Sequence, residues 1–462
     1  MAVAVTDAYT QAIAAVLGPE HIRREPEVLD AYGVDALGHG RRPDLVVTPA
    51  RTVEIAEIAR LCTAHRVPLV VRGAGTGYTG GAVPIQGGVV LSMERMNRIL
   101  GIDELNLLAV VEPNVITGEL QRAVERVGLF YPPDPASLES SSIGGNIAEC
   151  AGGPRAFKYG TTKRFVLGLE AVLPTGEIVK TGSKAVKNVV GYDLTQLLVG
   201  SEGTLAIVTR ATLRLLPKPA ARATMTGWFA SVEDAVDAVT ALVARRAVPA
   251  AIELVDEHSL RAIESYLGRA VAPDAARAMV IIECDGTAKG VEEEMDGVMT
   301  ACAETRAVAV VRAASESERD ALWQVRRQLS LALRATGLLK INHDVVVPRG
   351  RVPQLMHAVT ALGQRHCLAV AAFGHAGDGN IHVNVMVPHD DAAQLARART
   401  AERELFEEVV ALEGSISGEH GIGFAKAPYL GLELSPDEIA LMKRVKAAFD
   451  PAGILNPGKI FP

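Results

Sequence analysis

The chain reads as an α+β protein of more than one domain, and three observations carry that reading. Its 462 residues, 48% hydrophobic and 22% charged, exceed what a single core usually organises. From Pro43 onward a strand–helix–strand unit runs directly into a glycine loop. After Pro219 strands and helices alternate regularly, the pattern of a sheet covered by helices.

Taken in order, Met1-Ala-Val-Ala-Val-Thr-Asp7 has no basic start and too short an apolar run for a signal peptide, so a cytoplasmic location is expected. Asp7 to Val16 reads as a helix. Asp44–Thr48 is a short buried strand, and Thr52 is expected to cap a helix with apolar positions at Val53, Ile55, Ile58, Leu61 and Cys62. Val67–Val71 is a second strand, and it delivers Arg72-Gly-Ala-Gly-Thr-Gly-Tyr-Thr-Gly-Gly81. Gly75-x-Gly77-x-x-Gly80 matches a dinucleotide fingerprint in form, with Glu94 near the distance of the ribose acid. The context excludes it, because no helix opens after the loop: the chain passes Pro84 and Gly87-Gly88 into a strand, Val89–Ser92. Such a loop can still hold phosphate in a nest of backbone N–H groups.

Leu107–Val111 reads as a strand and Thr117–Val127 as a helix. From Tyr131 to Gly153 there is no periodicity, only Pro132-Pro-Asp-Pro135, Ser140-Ser-Ser-Ile-Gly-Gly-Asn146 and Ala151-Gly-Gly153, so a binding loop is expected. Gly168 to Val179 is a hairpin turning at Thr175-Gly176, Gly200–Thr204 leads into another strand, and Pro217-Lys-Pro219 marks a boundary. Beyond it, strands near 223–229, 252, 279–283 and 308–311 alternate with helices at 231–246, 259–266, 288–304 and 316–335. That implies an antiparallel or mixed sheet with helices on one face. The last of these helices sets Arg326, Ser330 and Arg334 at i, i+4 and i+8, roughly one face, without distinguishing Arg326 from Arg327 as a carboxylate clamp. A helix at 436–448 and the coil Asp450–Lys459 read as a docked tail. The expected domains are 1–218, 219–425 and 426–462.

The chemistry gathers in Phe373-Gly-His-Ala-Gly-Asp-Gly-Asn-Ile-His-Val-Asn384 and Ser417-Gly-Glu-His-Gly-Ile-Gly423, which hold three of the 11 histidines. A strand from His382 puts His382 and Asn384 on one face, and Gly377-Asp378-Gly379 is turn chemistry able to fold His375 back towards them. A lone histidine on an apolar strand is usually a satisfied core residue; this cluster, with Gly374, Gly377, Gly379, Gly418 and Gly421 around it, points instead to a site. His375, His382 and Glu419 form a two-histidine, one-carboxylate set of the kind that binds a catalytic divalent metal and leaves positions open. His420 remains as a base.

Other classes recede. A net charge of −7 argues against broad nucleic-acid or anionic-membrane binding, and no run of eighteen apolar residues suggests a membrane span. The five cysteines, Cys62, Cys150, Cys284, Cys302 and Cys367, are scattered, without a Cys-x-x-Cys pair for zinc or an iron–sulfur cluster. Any electrons this protein handles must leave through another molecule.

Arg72-Gly-Ala-Gly-Thr-Gly77, Pro132-Pro-Asp-Pro135, Ser142-Ile-Gly-Gly-Asn146, Lys187-Asn-Val-Val-Gly-Tyr-Asp-Leu194, Gly200-Ser-Glu-Gly-Thr204, the His375–His382 segment, Ser417–Gly421 and Asn456-Pro-Gly-Lys459 occur in one order. Together they resemble the FAD-linked D-2-hydroxyacid dehydrogenases, which include D-lactate and D-2-hydroxyglutarate dehydrogenases and the glycolate oxidase flavin subunit, within the vanillyl-alcohol oxidase superfamily. The resemblance runs from about residue 40 to the C-terminus.

It implies a two-subdomain FAD-binding domain with an α+β cap. FAD would be held by Arg72, Gly73, Ala74, Gly75, Thr76, Gly77, Pro133, Asp134, Ser142, Gly144, Gly145, Asn146, Gly152, Gly153, Glu202, Ile207 and Asn456. It also implies His375, His382 and Glu419 as ligands of zinc, manganese or iron, His420 as base, and Arg326, Lys340 and Asn384 at the substrate. The segment Lys340-Ile-Asn-His-Asp344 departs from the Lys-Tyr-Asp common in relatives. No His or Cys stands in the glycine loop to attach flavin, so dissociable FAD is expected. The implied partners are a small 2-hydroxyacid and an external electron acceptor or redox subunit; a homodimer is compatible, nucleic acid is not expected. A metal-dependent hydrolase is the rival reading of the histidines, but it leaves the glycine loop unexplained.

Overall fold

The computed structural model describes residues 5–461, so Met1 to Ala4 of the N-terminal stretch, like Pro462, lie outside the described residues. The chain divides into two compact units, one of Met1–Gly152, Thr161–Lys218 and Glu419–Pro462, the other of Gly153–Gly160 and Pro219–Gly418. Against limits expected after 218 and 425, the segment 419–425 counts with the first unit and 153–160 with the second.

The first unit holds two main sheets, of four and five strands, besides the two-stranded pair Leu129–Phe130 and Leu216–Pro217. In the smaller, Val89–Ser92 lies between Leu45–Val47 and Leu69–Arg72 in parallel, and Ile22–Arg23 adds an antiparallel edge. The parallel strands are nearly continuous runs of Val and Leu because helices cover them: Asp7–Leu17 and Thr52–His65 bury Ile13, Ile55, Ile58 and Cys62 against Leu45, Leu69 and Leu91. Thr52 is the first helical residue rather than the cap; Arg51 holds the cap position, and Glu54 folds back onto its backbone N–H at 3.1 Å. The second sheet is antiparallel, in the order Ile99–Asp103, Leu108–Val111, Ile207–Arg214, Val166–Val172, Ile178–Gly182. Its last hairpin turns at Gly176, with φ +88. The segment 131–153 is not wholly irregular, since Ser142 caps a helix over Ile143–Glu149 that the glycines had masked. The C-terminal coil extends the smaller sheet: Ile454 and Leu455 enter its core, and Asn456 N–H donates to the Leu69 carbonyl at 2.9 Å.

The second unit is a seven-stranded antiparallel sheet, in the order 309–312, 221–229, 278–286, 251–255, 369–375, 380–387, 339–346. Helices lie on both faces rather than one. Glu257–Leu267 and Glu316–Ala335 pack on each other and bury Leu260, Ile263, Val325 and Leu329 against Met279, Ile281, Phe373 and Met386. The helices 232–244, 288–304, 352–366 and 392–411 pack among themselves on the other side. Residues 153–160 join this unit, where Lys158 Nζ and the Tyr159 hydroxyl reach the buried Asp285 carboxylate at 2.6 and 2.8 Å.

Candidate active site

In the second unit the strands Ala369–His375 and Asn380–Val387 form a hairpin whose turn needs glycine: Gly379 has φ +92, and a side chain there would strike the Val347 carbonyl. Cross-strand register pairs Phe373 with His382 and His382 with Asp344, then Ala371 with Asn384 and Asn384 with Asn342, then Met386 with Lys340. Since alternate residues share a face, His382, Asp344, Asn384 and Lys340 all stand with His375 on the face covered by the 316–335 helix.

His375 directs Nδ1 to Glu253 Oε1 at 2.5 Å, and its ring meets that of His382 edge-on, with centroids 5.3 Å apart. Burial alone would raise the Glu253 carboxyl, but the charges of Arg326 and His375 and their hydrogen bonds hold it below the ordinary carboxylate range. Arg326 donates Nε to the other Glu253 oxygen and lies 4.8 Å over the Phe373 ring; it is only 4% exposed, and its Nη2 is buried with no hydrogen-bond partner. Arg327, which helical spacing could not tell from Arg326, is exposed. Lys340 Nζ lies 2.6 Å from Ser330 Oγ, and burial, then Arg334 and Arg326, push its pKa down to about 7. Asn384 is fully buried and takes part in the sheet, donating to the Ala371 carbonyl at 3.1 Å and accepting from Asn342 at 2.8 Å.

Sequence reasoning missed three polar residues here. Asp344, fully buried, lies 3.5 Å from His382 Nδ1 and accepts from Asn380 Nδ2 at 2.7 Å and from the Gly418 N–H at 2.9 Å. Glu253 is the single acid in the apolar strand Ala251–Val255. A buried charge must be paired, and that strand's composition was the available signal. Asn380 and Asp344 carried none until strand pairing was known.

In the first unit the two glycine-rich segments abut. A side chain on Gly73 would collide with Ser142 Oγ, so the loop backbone passes directly over the start of the 143–149 helix, beside the Gly145 N–H. Gly75 has φ +70 and lies against the Arg72 guanidinium, which donates to the Val34 carbonyl at 2.7 Å and sits over the Tyr32 ring. Ala74 is exposed, Thr76 and Gly77 partly so, and Asp134 and Ile207 are buried. The Pro133 carbonyl accepts from Gln121 at 2.8 Å, and Asn146 donates to Thr117 at 2.7 Å. Gly153, at φ +124, begins the stretch that counts with the second unit. Two expected cofactor residues use their side chains on the chain itself: Glu202 accepts the N–H groups of Ile422 and Gly423 at 2.7 and 2.6 Å, and Asn456 donates to the Glu202 carbonyl at 2.6 Å. They fasten the 419–425 turn beside the glycine loop. Gly152 leaves room for the Glu419 carboxylate, and Glu419 Oε1 is 3.9 Å from His420 Nε2. Behind the loop, burial and the neighbouring Glu202 and Asp35 raise the Glu149 carboxyl well above its usual range, while burial lowers Lys459 to about 8.

His375 and His382 each face a buried carboxylate with Nδ1, Glu253 at 2.5 Å and Asp344 at 3.5 Å, as metal-binding imidazoles face their outer shell. These donors fit a divalent ion. The glycine loop, bare of side chains where it crosses Ser142, fits a diphosphate.

Comparison with known proteins accords with this. Residues 43–182 match the FAD binding domain family and residues 218–460 the family of FAD linked oxidases, C-terminal domain. The chain is 42% identical over 458 residues to the glycolate oxidase subunit GlcD of Bacillus subtilis, covering 99% of this chain and 97% of that protein. It is 35% identical to D-2-hydroxyglutarate dehydrogenase of Stutzerimonas stutzeri (96% of each chain) and 34% identical to D-lactate dehydrogenase of Anaerostipes hadrus (96% and 95%). Among solved structures, 4-ethylphenol oxidase from Gulosibacter chungangensis superposes with a TM-score of 0.80 at 20% identity, covering 98% of this chain and 97% of that one. p-Cresol methylhydroxylase gives 0.80 at 18%, covering 100% and 98%; both likenesses speak to the fold.

The chain belongs to the FAD-linked oxidases. Within them it is an enzyme of the FAD-dependent 2-hydroxyacid dehydrogenase family.

Proposed function

We propose that the enzyme oxidises a small D-2-hydroxyacid, or glycolate, to the 2-oxoacid with metal assistance. The observation that carries this is Arg326: a guanidinium buried in the sheet face, anchored by Glu253, with Nη2 lacking an acceptor. A buried unmet donor is costly, and a substrate carboxylate satisfies it. Lys340, on the same face and held by Ser330, adds a second cation, and Asn384 lies in the row between Lys340 and the histidines. His375, His382 and Glu419 would hold the metal, with Glu253 and Asp344 fixing the imidazoles. His420 would take the hydroxyl proton. When bound, the ion would acidify the substrate hydroxyl as a Lewis acid and the dissociable FAD would accept the hydride at N5.

The flavin must then pass its electrons to an external acceptor or partner redox subunit; the name of the Bacillus relative supports the second. Among the described residues no helix is long and apolar enough to cross a membrane, and five unbridged cysteines suit a reducing cytoplasm. The test is anaerobic flavin reduction by glycolate, D-lactate, D-malate and D-2-hydroxyglutarate. His420→Ala should keep FAD and lose reduction by at least about a hundredfold; His375→Ala should also lose the metal by elemental analysis. Full bleaching of the His420 variant would remove it as base.

A further inference from the structure

Three successive residues at the end of the glycine loop, Tyr78, Thr79 and Gly80, grip the turn that carries His420, all within the first unit. The Tyr78 ring stacks on the His420 imidazole, with centroids 5.2 Å apart and planes inclined by 25°. Thr79 Oγ1 donates to the His420 carbonyl at 3.0 Å, and the Thr79 carbonyl accepts the N–H groups of Phe424 and Ala425 at 3.1 and 3.2 Å. Two glycines permit the approach: a Cβ on Gly80 would enter the Phe424 ring, and one on Gly423 would enter the Thr79 carbonyl. Both have positive φ, +81 and +52. The His420 backbone is thereby fixed by Thr79 and the 422–423 backbone by Glu202, and its ring lies stacked on the phenol of Tyr78, a planar neighbour that can set χ2.

We infer that Tyr78 is a positioning residue for the reaction, its ring holding the His420 imidazole at the angle from which it takes the substrate proton. The stacking of two rings restricts rotation about the imidazole axis, and a base that swings freely loses the near-attack geometry on which its rate depends. The phenol hydroxyl is not needed for this; the flat face is. The same residue sits between the loop proposed for the diphosphate and the base, so one short segment would serve both binding and orientation.

This rests on the proposed role of His420, and the experiment separates the two. In the FAD-bound enzyme, flavin reduction by D-lactate or glycolate is followed anaerobically for Tyr78→Ala, Tyr78→Phe, His420→Ala and the Tyr78/His420 double variant, each scored also for FAD content and thermal midpoint. Tyr78→Ala should lower the limiting reduction rate about tenfold with substrate affinity nearly unchanged, Tyr78→Phe should restore it, and Tyr78→Ala should add nothing in the His420→Ala background. Independently of turnover, the His420 side-chain NMR resonance, assigned by its loss in His420→Ala, should move in Tyr78→Ala and stay in place in Tyr78→Phe. A Tyr78→Ala enzyme reducing flavin at the parental rate, a Phe variant as slow as Ala, or an unmoved resonance overturns the inference. A His420→Ala enzyme of parental rate overturns the base role itself.

Discussion

Arg326 shows how far one residue can be read. Its helical position was visible, but burial at 4% exposure, the Glu253 anchor and the orphaned Nη2 belong to the folded chain. A lysine keeps the charge but loses the planar fork. Arg326→Lys is therefore expected to lower kcat/KM about 10- to 100-fold, chiefly through KM, as a charge-assisted hydrogen bond is worth about 1.5–3 kcal/mol; unaltered steady-state kinetics would count against the clamp. Lys340 supplies a pH dependence. With its folded value lowered to about 7 by burial, it is cationic below that pH and neutral above, so KM for a carboxylate substrate should rise as pH climbs through about 7, and Lys340→Met should flatten the profile. The stability sign is opposite: the unfolded chain binds more protons between 7 and the ordinary lysine range, so the fold loses stability as pH falls across that interval.

Elements with strong periodicity were legible. The helix expected at 288–304 spans Ala288–Glu304, and the one expected at 316–335 spans Glu316–Ala335. Reading failed where local chemistry competes: glycines at 144 and 145 hid a helix because Gly favours loops, yet Gly144 is there to let the helix lie against Pro113. Sidedness of the second sheet also escaped, since both its faces are apolar. The short element 156–159 tests such tertiary pairing. Asp285 is fully buried, and Lys158 is its cationic partner. Lys158→Met should cost about 3 kcal/mol in denaturant unfolding, because a buried carboxylate loses its ion-pair partner; an unchanged midpoint would mean the pair contributes nothing.

At the scale of the molecule, neither unit is continuous in sequence, the first drawing on three stretches and the second on two. A ligand that binds only the folded first unit should stabilise it by mass action, about 2.7 kcal/mol for FAD at a hundredfold excess over its Kd. Thermal melts with FAD added and then dialysed away should show the gain and its reversal, and a shift that survives unfolding in denaturant would indicate covalent flavin instead. A chelator should abolish reduction by substrate while the flavin spectrum persists. The sequence by itself determined the kinds of element, the glycine loop that is no Rossmann turn, and the clusters at His375, His382, Glu419 and His420, because backbone conformation and hydrophobic period are local. Only the tertiary structure decided that Glu253 and Asp344 stand behind the histidines, that Arg326 and not Arg327 is buried, and that Tyr78 meets His420. Those facts depend on strand register and on contacts between residues up to several hundred positions apart, and no local preference encodes them.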